Sequence, residues 1–248
     1  MARISHLRAV DGMTRETLVM LPGMMCDARL FTPQIKALER NYDIVVPKLC
    51  APASIQGLAQ KVLDEIAVPQ FNLLGLSMGG IVAMAMVGVA PHRVTRLALL
   101  DTNHHADAPE RQPIRNQQIE AVGNGQLRSV IVNEMKPNYL ATKNRNNAEL
   151  LALLVEMAMD LGANCFISQS IALRDRKNQS AALAQYPGPV MLLCGKEDEL
   201  CPVSRHKEML CHCSRGQLRM IADAGHIVSL ERPDEVTLAV RDWLGIAR

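Results

Sequence analysis

The sequence predicts an α/β fold, with a mostly parallel central sheet flanked by helices and a helical cap inserted into it. Three observations predict this. Short apolar runs bounded by turn residues alternate with helix-period segments, the pattern of strands joined by helical crossovers. Between Asn103 and about Arg174 the alternation lapses and only helical patterns remain. At one strand-to-helix junction, "FNLLGLSMGGIVAMAMVGVA", a lone serine stands among glycines.

The elements follow in order. Thr17–Leu21, Asp43–Val46, Phe71–Gly75, Arg96–Leu100, Pro189–Cys194 and Gln217–Ile221 are the expected strands. Helices are expected near Pro33–Arg40, Ile55–Ile66, Met78–Ala90, Val203–Leu210 and Asp234–Leu244. Thr32 before Pro33 is a good start signal, because proline at the first helical position forfeits no hydrogen bond. The helical block reads as Pro113–Val122, Gln126–Met135, Ala148–Leu161 and Ala163–Arg174. Leu127, Val130, Ile131 and Met135 share one face of the second of these helices. Asn146 with Glu149 makes a cap pair for the third, whose apolar residues cover most of its circumference and call for cover on more than one side. The expected division is a first core part at 1–102, a cap at 103–174 and a second core part at 175–248.

A chain of 248 residues can bury a sizeable core, and 48% apolar with 21% charged residues is ordinary for a folded protein. With 27 basic against 25 acidic residues, no basic block and no interleaved aromatics, nucleic acid is not the expected partner. The longest apolar run, Ile81–Pro91, is too short to span a bilayer and reads as a core helix, so no membrane partner is expected. "MARISHLRAV" lacks the long apolar stretch of a secretory signal. Seven irregularly spaced cysteines suggest no disulfide framework and fit a reducing cytoplasm. "CHC" at Cys211–Cys213 has no second ligand pair at zinc-site spacing, so no metal is expected.

Ser77 falls where ligands collect in open parallel sheets, beyond the carboxyl end of a strand. Gly75-Leu76-Ser77-Met78-Gly79 matches a nucleophile elbow, a turn so sharp that side chains at the glycine positions would strike the adjacent strand and helix. The helix that follows aims its N-terminal amides at the site and favours developing negative charge. A serine alcohol needs an adjacent base. In "LRMIADAGHIVSLERPDEV", His226 follows a late strand through a short turn and can reach the same rim. The histidine in turn needs a carboxylate to fix its tautomer. "PVMLLCGKEDELCP" offers Glu197, Asp198 and Glu199; Asp198, short and three residues past Gly195, suits the turn best. Asp101, ending "RLALLD", is the competitor, its alternative role being to hold the loop behind the elbow.

With the order serine, aspartate, histidine, the chain resembles the α/β-hydrolase superfamily with a helical cap. "GLSMGG", "LALLDT" and "AGHIVSLERPDEV" are most similar to small cofactor-free carboxylesterases and 3-oxoadipate enol-lactonase-like hydrolases. The resemblance implies the α/β-hydrolase fold, a catalytic Ser77–Asp198–His226 triad, and an oxyanion hole from the backbone N–H groups of Met24 and Met78. It implies a small ester or lactone substrate and no cofactor. Two departures stand out: Pro22 where many relatives carry histidine, and a stretch before Thr17 short for a full pair of leading strands. His104, His105 and Arg111, in "DTNHHADAPERQPIR", are candidates to meet a polar or carboxylate group on the substrate. The 14 methionines suit either a pliable apolar lining or simple core filling. C–C bond hydrolysis and thioester cleavage can use the same triad, and a ligand-binding receptor can be built on the same fold. Monomer and homodimer are both compatible with the sequence.

Overall fold

The computed structural model describes residues 15–135 and 139–246. The expectations about the first strands and the N-terminal stretch fall on residues 1–14, outside the described residues. Six strands form one sheet: β1 (Glu16–Leu21), β2 (Tyr42–Val45), β3 (Phe71–Leu76), β4 (Val94–Leu100), β5 (Val190–Gly195) and β6 (Gly216–Ile221). Their spatial order is β2-β1-β3-β4-β5-β6, and every neighbouring pair is parallel. The chain therefore winds outward one way from β1 to β2 and the other way from β3 onward. That reversal leaves a crevice beyond the carboxyl ends of β1 and β3, where such sheets take ligands.

Alternate residues of each central strand enter opposite cores. Val19, Leu21, Leu73, Leu97, Leu99 and Leu192 pack with α2 (Ile55–Glu65) and α3 (Met78–Val89) on one face. Leu18, Met20, Leu74, Leu76, Ala98 and Leu193 pack on the other, with α1 (Thr32–Leu38) and the C-terminal helix Pro233–Leu244. Both faces are covered, which is why these strands read as unbroken apolar runs.

Between β4 and β5 the described chain forms no strand. It builds α4 (Gln112–Gly123), α5 (Leu127–Val130) continuing as a π-helical turn at Ile131–Met135, and α6 (Ala148–Arg174). α6 is long and apolar enough to cross a membrane by length and composition alone. Gly162, at φ 80°, breaks it into two parts. Leu150, Leu154 and Met157 of the first part enter one core, while Cys165, Phe166 and Ala172 of the second enter the other. The all-round apolar surface thus finds cover on two sides. Asn147, rather than Asn146, caps it, accepting a hydrogen bond from the Leu150 amide at 3.1 Å.

α7 (Ser180–Gln185) has no counterpart in the sequence reading; six residues are too few to show a helical period. α8 (Val203–His212), α9 (Val228–Glu231) and α10 (Pro233–Leu244) complete the chain.

The cysteine expectation needs correction. Cys50 and Cys165 are disulfide-bonded, with Cα atoms 4.5 Å apart across a sequence separation of 115. This bridge ties the segment after β2 to α6. Spacing along the chain could not reveal a pair joined only by the fold, and the cysteine count carries no argument for a reducing compartment.

Candidate active site

Ser77 occupies the turn between β3 and α3 with φ 53° and ψ −116°, a conformation that ordinary side chains avoid. Such strain costs on the order of 1–3 kcal/mol and persists only where the surroundings enforce it. Here they do. A Cβ on Gly79 would run into the Leu21 and Pro22 carbonyl oxygens, and one on Gly75 into the Gly79 backbone, so α3 lies directly on β1 and β3. The Ser77 amide donates to Leu100 O at 2.9 Å, and Thr102 Oγ1 donates to Ser77 O at 2.7 Å. β4 thereby holds the turn from below.

The structure brings Ser77, His226 and Asp198 together. Ser77 Oγ lies 2.8 Å from His226 Nε2, and His226 Nδ1 lies 2.9 Å from Asp198 Oδ2. Asp198 and His226 are buried. The other Asp198 oxygen accepts from the Leu200 and Cys201 amides, each at 2.9 Å. Burial penalises the Asp198 charge, but the adjacent imidazole, its hydrogen bond and the two amides outweigh that. They hold the carboxyl below its ordinary range.

Asp101 has a different task. Fully buried at the end of β4, it accepts from Gly195 N at 2.9 Å and Val228 N at 3.0 Å, tying β5 to the segment after His226. Burial and the nearby Asp198 charge push its carboxyl well above the usual range. Glu231 works similarly from the other side of the histidine loop. It accepts from Gly225 N and Ala141 N, each at 2.8 Å, and from Asn144 Nδ2 at 3.0 Å. Sequence reasoning missed Glu231 because two of its three partners, Ala141 N and Asn144 Nδ2, lie about ninety residues earlier in the chain.

Met24 and Met78 both stand beside the serine turn. A Cβ on Gly23 would touch the Ser77 side chain at 3.4 Å, and Met24 lines the same cavity as Ser77. The next residue, Met25, sits at φ 56°, and its amide donates to Gln169 Oε1 at 2.9 Å. Gln169 Nε2 in turn donates to Leu49 O at 3.0 Å. A buried amide on α6, one turn beyond the disulfide-bonded Cys165, thus fixes the loop after β1.

The cavity over Ser77 measures about 200 Å³. Arg111 lines it, together with Ile81, Arg115, Met135, Tyr139, Leu173 and Arg176. His104 and His105 are not among its lining residues, which corrects their assignment as substrate contacts. His104 is buried against the His105 and His212 rings, with centroids 4.1 and 5.2 Å away. Burial lowers its pKa to about 4. His105 meets Glu208 Oε2 at 2.7 Å. The histidine pair looked reactive in the sequence, but the chain turns it toward α8.

Among the described residues, two clusters bring three possible metal ligands within 4.8 Å: His104, His105 and Glu208, and Asp198, Cys201 and His226. The second is the hydrogen-bonded His226–Asp198 pair with a thiol beside it. Burial raises the Cys201 pKa well above its ordinary value, so that thiol stays protonated.

A parallel sheet with a strained serine at its switch point and a buried His–Asp pair within hydrogen-bond reach defines a hydrolase-type α/β scaffold. The chain belongs to the alpha/beta hydrolase family, whose sequence profile matches residues 18–239. It is 25% identical over 247 residues to the biotin biosynthesis bifunctional protein BioHC of Cellvibrio japonicus, a match covering 93% of this chain and 48% of that protein. This chain therefore spans about half the length of that relative. Among solved structures it is similar to a thermophilic esterase from Thermogutta terrifontis with malate bound. That likeness has a TM-score of 0.85 and 25% identity, covering 93% of this chain and 90% of that one. The enol-lactonase of Burkholderia xenovorans LB400 shares the fold, with a TM-score of 0.84 at 20% identity over 95% and 94% of the two chains.

Proposed function

We propose that the protein is a serine hydrolase that cleaves a small carboxylic ester or lactone through an acyl-enzyme. The observation that carries this reading is the continuous hydrogen-bond path Ser77 Oγ to His226 Nε2 and His226 Nδ1 to Asp198. An ionised Asp198 selects the tautomer with the proton on Nδ1, leaving Nε2 free to take the serine proton. Ser77 Oγ attacks the carbonyl carbon as His226 accepts its proton. The oxyanion rests on the Met24 and Met78 amides, neither of which has a hydrogen bond to another described residue outside helix and strand ladders. The imidazolium then protonates the departing alcohol. Water, deprotonated by His226, attacks the acyl-enzyme, and Ser77 leaves with the proton restored.

Each oxyanion donor in such sites is worth ~10²–10³ in turnover. Here the strained Ser77 backbone and the Gln169 clamp on Met25 supply the rigidity that this preorganisation needs. Residues 103–174 act as the cap that closes the cavity. The relatives' esterase and lactonase activities agree with the chemistry and leave the acyl group open.

The test is turnover of a panel of short-chain esters, lactones and thioesters by the intact protein and by Ser77→Ala. The proposal expects ester or lactone hydrolysis that falls by about 10⁶ in the variant. Activity retained within tenfold in Ser77→Ala contradicts it.

A further inference from the structure

The roof of the cavity carries a charge arrangement that the hydrolytic machinery does not use. Asp107, on the segment after β4, is buried with its carboxylate shared between two guanidinium groups. Arg115 of α4 donates from Nε to Oδ2 at 2.5 Å and from Nη2 to Oδ1 at 3.3 Å. Arg176, just past α6, places Nη1 2.6 Å from Oδ1. Arg176 also donates from Nε to His105 O at 2.9 Å and from Nη1 to Leu173 O at 3.0 Å. The arginine side chains are only 10% and 8% exposed, and the aspartate side chain is fully enclosed.

One carboxylate holding one guanidinium would be enough to pin the roof. Two cations on one anion leave a positive charge in excess, and keeping it out of water is costly unless something pairs with it. Burial draws Arg176 below the usual guanidinium range, and the Arg115 charge adds to that despite the pull of Asp107.

The donors are unequally used. Nη1 of Arg115 and Nη2 of Arg176 have no acceptor among the described residues, and neither belongs to the sealed polar atoms that lack a partner, so both reach open space. Both residues line the cavity that contains Ser77 and His226, as does Arg111. Glu134 is the single acidic side chain among those lining residues, and it is engaged by Gln118 Nε2 at 3.0 Å.

We infer that Arg115 and Arg176, held together on Asp107, form a subsite for a carboxylate carried by the substrate, so that the preferred ester or lactone is that of a short dicarboxylic or similarly acidic compound. This rests on the proposed role of Ser77 and names its substrate class. The free carboxylate takes no part in the chemistry: one acyl–oxygen bond breaks, water supplies the hydroxyl and the proton, and the distal acid leaves unchanged. Planar guanidinium donors suit a carboxylate, and a cavity of about 200 Å³ suits a short chain between the two functional groups.

The experiment compares kcat/KM for monomethyl glutarate and for methyl pentanoate, which replaces the distal carboxylate with a methyl group. A charge-assisted contact of the usual strength predicts a preference for the acidic ester of about tenfold or more. Arg176→Gln and Arg115→Gln should bring that ratio toward one, mainly through KM, and Arg176→Lys should restore part of it.

A second arm needs neither turnover nor a folded arginine variant. The Ser77→Ala protein should bind glutarate saturably in a thermal-shift titration and should not bind glutaramide. Glutarate binding without hydrolysis of any ester would sink the hydrolase reading and leave the subsite standing. Hydrolysis with a wild-type ratio near one, a ratio unchanged by both glutamine variants, or equal behaviour of glutarate and glutaramide would overturn the subsite.

Discussion

The floor of the cavity and its roof are built on different principles. The floor is the rim of a parallel sheet. Ser77, Asp198 and His226 follow β3, β5 and β6; the Ser77 amide donates to Leu100 O, the Asp198 carboxylate accepts from the Leu200 and Cys201 amides, and the His226 amide donates to Tyr139 O. The roof consists of α4, α5 and a broken α6, fastened by side chains: the Asp107–Arg115–Arg176 cluster, the Gln169 clamp and the Cys50–Cys165 bridge. Backbone bonding sets geometry to a fraction of an ångström, which the chemistry requires. The two regions meet at the histidine loop, where His226 N donates to Tyr139 O at 2.8 Å. On the proposed function, the floor carries the reaction and the roof the choice of substrate.

The largest expected effect sharpens this within the floor itself. Asp198→Asn should lower kcat by about 10⁴ with little loss of stability, because the amide favours the wrong histidine tautomer. Asp101→Asn should do the reverse. It turns an amide donor toward one of the two backbone N–H groups that Asp101 serves, at a cost of about 1–3 kcal/mol, while the His226–Asp198 bond remains. Steady-state kinetics and urea midpoints on both variants check the contrast. Equal kinetic losses would erase the division between the two acids.

A smaller effect probes the joint between the two regions. Gln169→Leu strips partners from the buried Met25 amide and the Leu49 carbonyl. Because Met25 adjoins a proposed oxyanion donor, kcat should fall by about 10–100-fold with KM nearly unchanged, below the ~10²–10³ for losing a donor outright. A change confined to KM would place Gln169 with the substrate-selecting roof instead.

A further effect concerns acid. Burial lowers the pKa of His206 from 6.5 to about 4; its Nε2 accepts from Thr102 N at 3.2 Å. Between those values the unfolded chain binds a proton that the folded one refuses. This contribution to stability is therefore complete above about pH 6.5 and is lost as the pH falls toward 4, at about 1.4 kcal/mol per unit. His104 behaves alike, whereas Asp101, with its raised carboxyl, runs in the opposite direction. Comparing wild type with His206→Gln cancels those shared contributions. Urea midpoints from pH 7 to 4 should show a shallower decline for the variant; parallel curves would contradict the assignment.

The same division explains what could be read in advance. Strands buried on both faces write themselves as apolar runs, and the elbow's glycines mark where backbones crowd, so the strands that Ser77, Asp198 and His226 follow were legible. The roof was not. Asp107, Arg115 and Arg176 meet only because an insertion folds back on itself, and Cys50 finds Cys165 across 115 residues. His104 and His105 misled for the complementary reason. A conspicuous doublet in a loop says nothing of which way the loop turns, and this one faces α8.

The most direct test of the central claim is the rate at which a fluorophosphonate labels the protein, with the modified residue mapped by mass spectrometry. A serine activated by the neighbouring imidazole should give a single label on Ser77, formed at least 10²-fold faster than in His226→Ala. A label on another residue, no label, or the same rate in both proteins would show that the hydroxyl and the ring, though 2.8 Å apart, do not act as a pair.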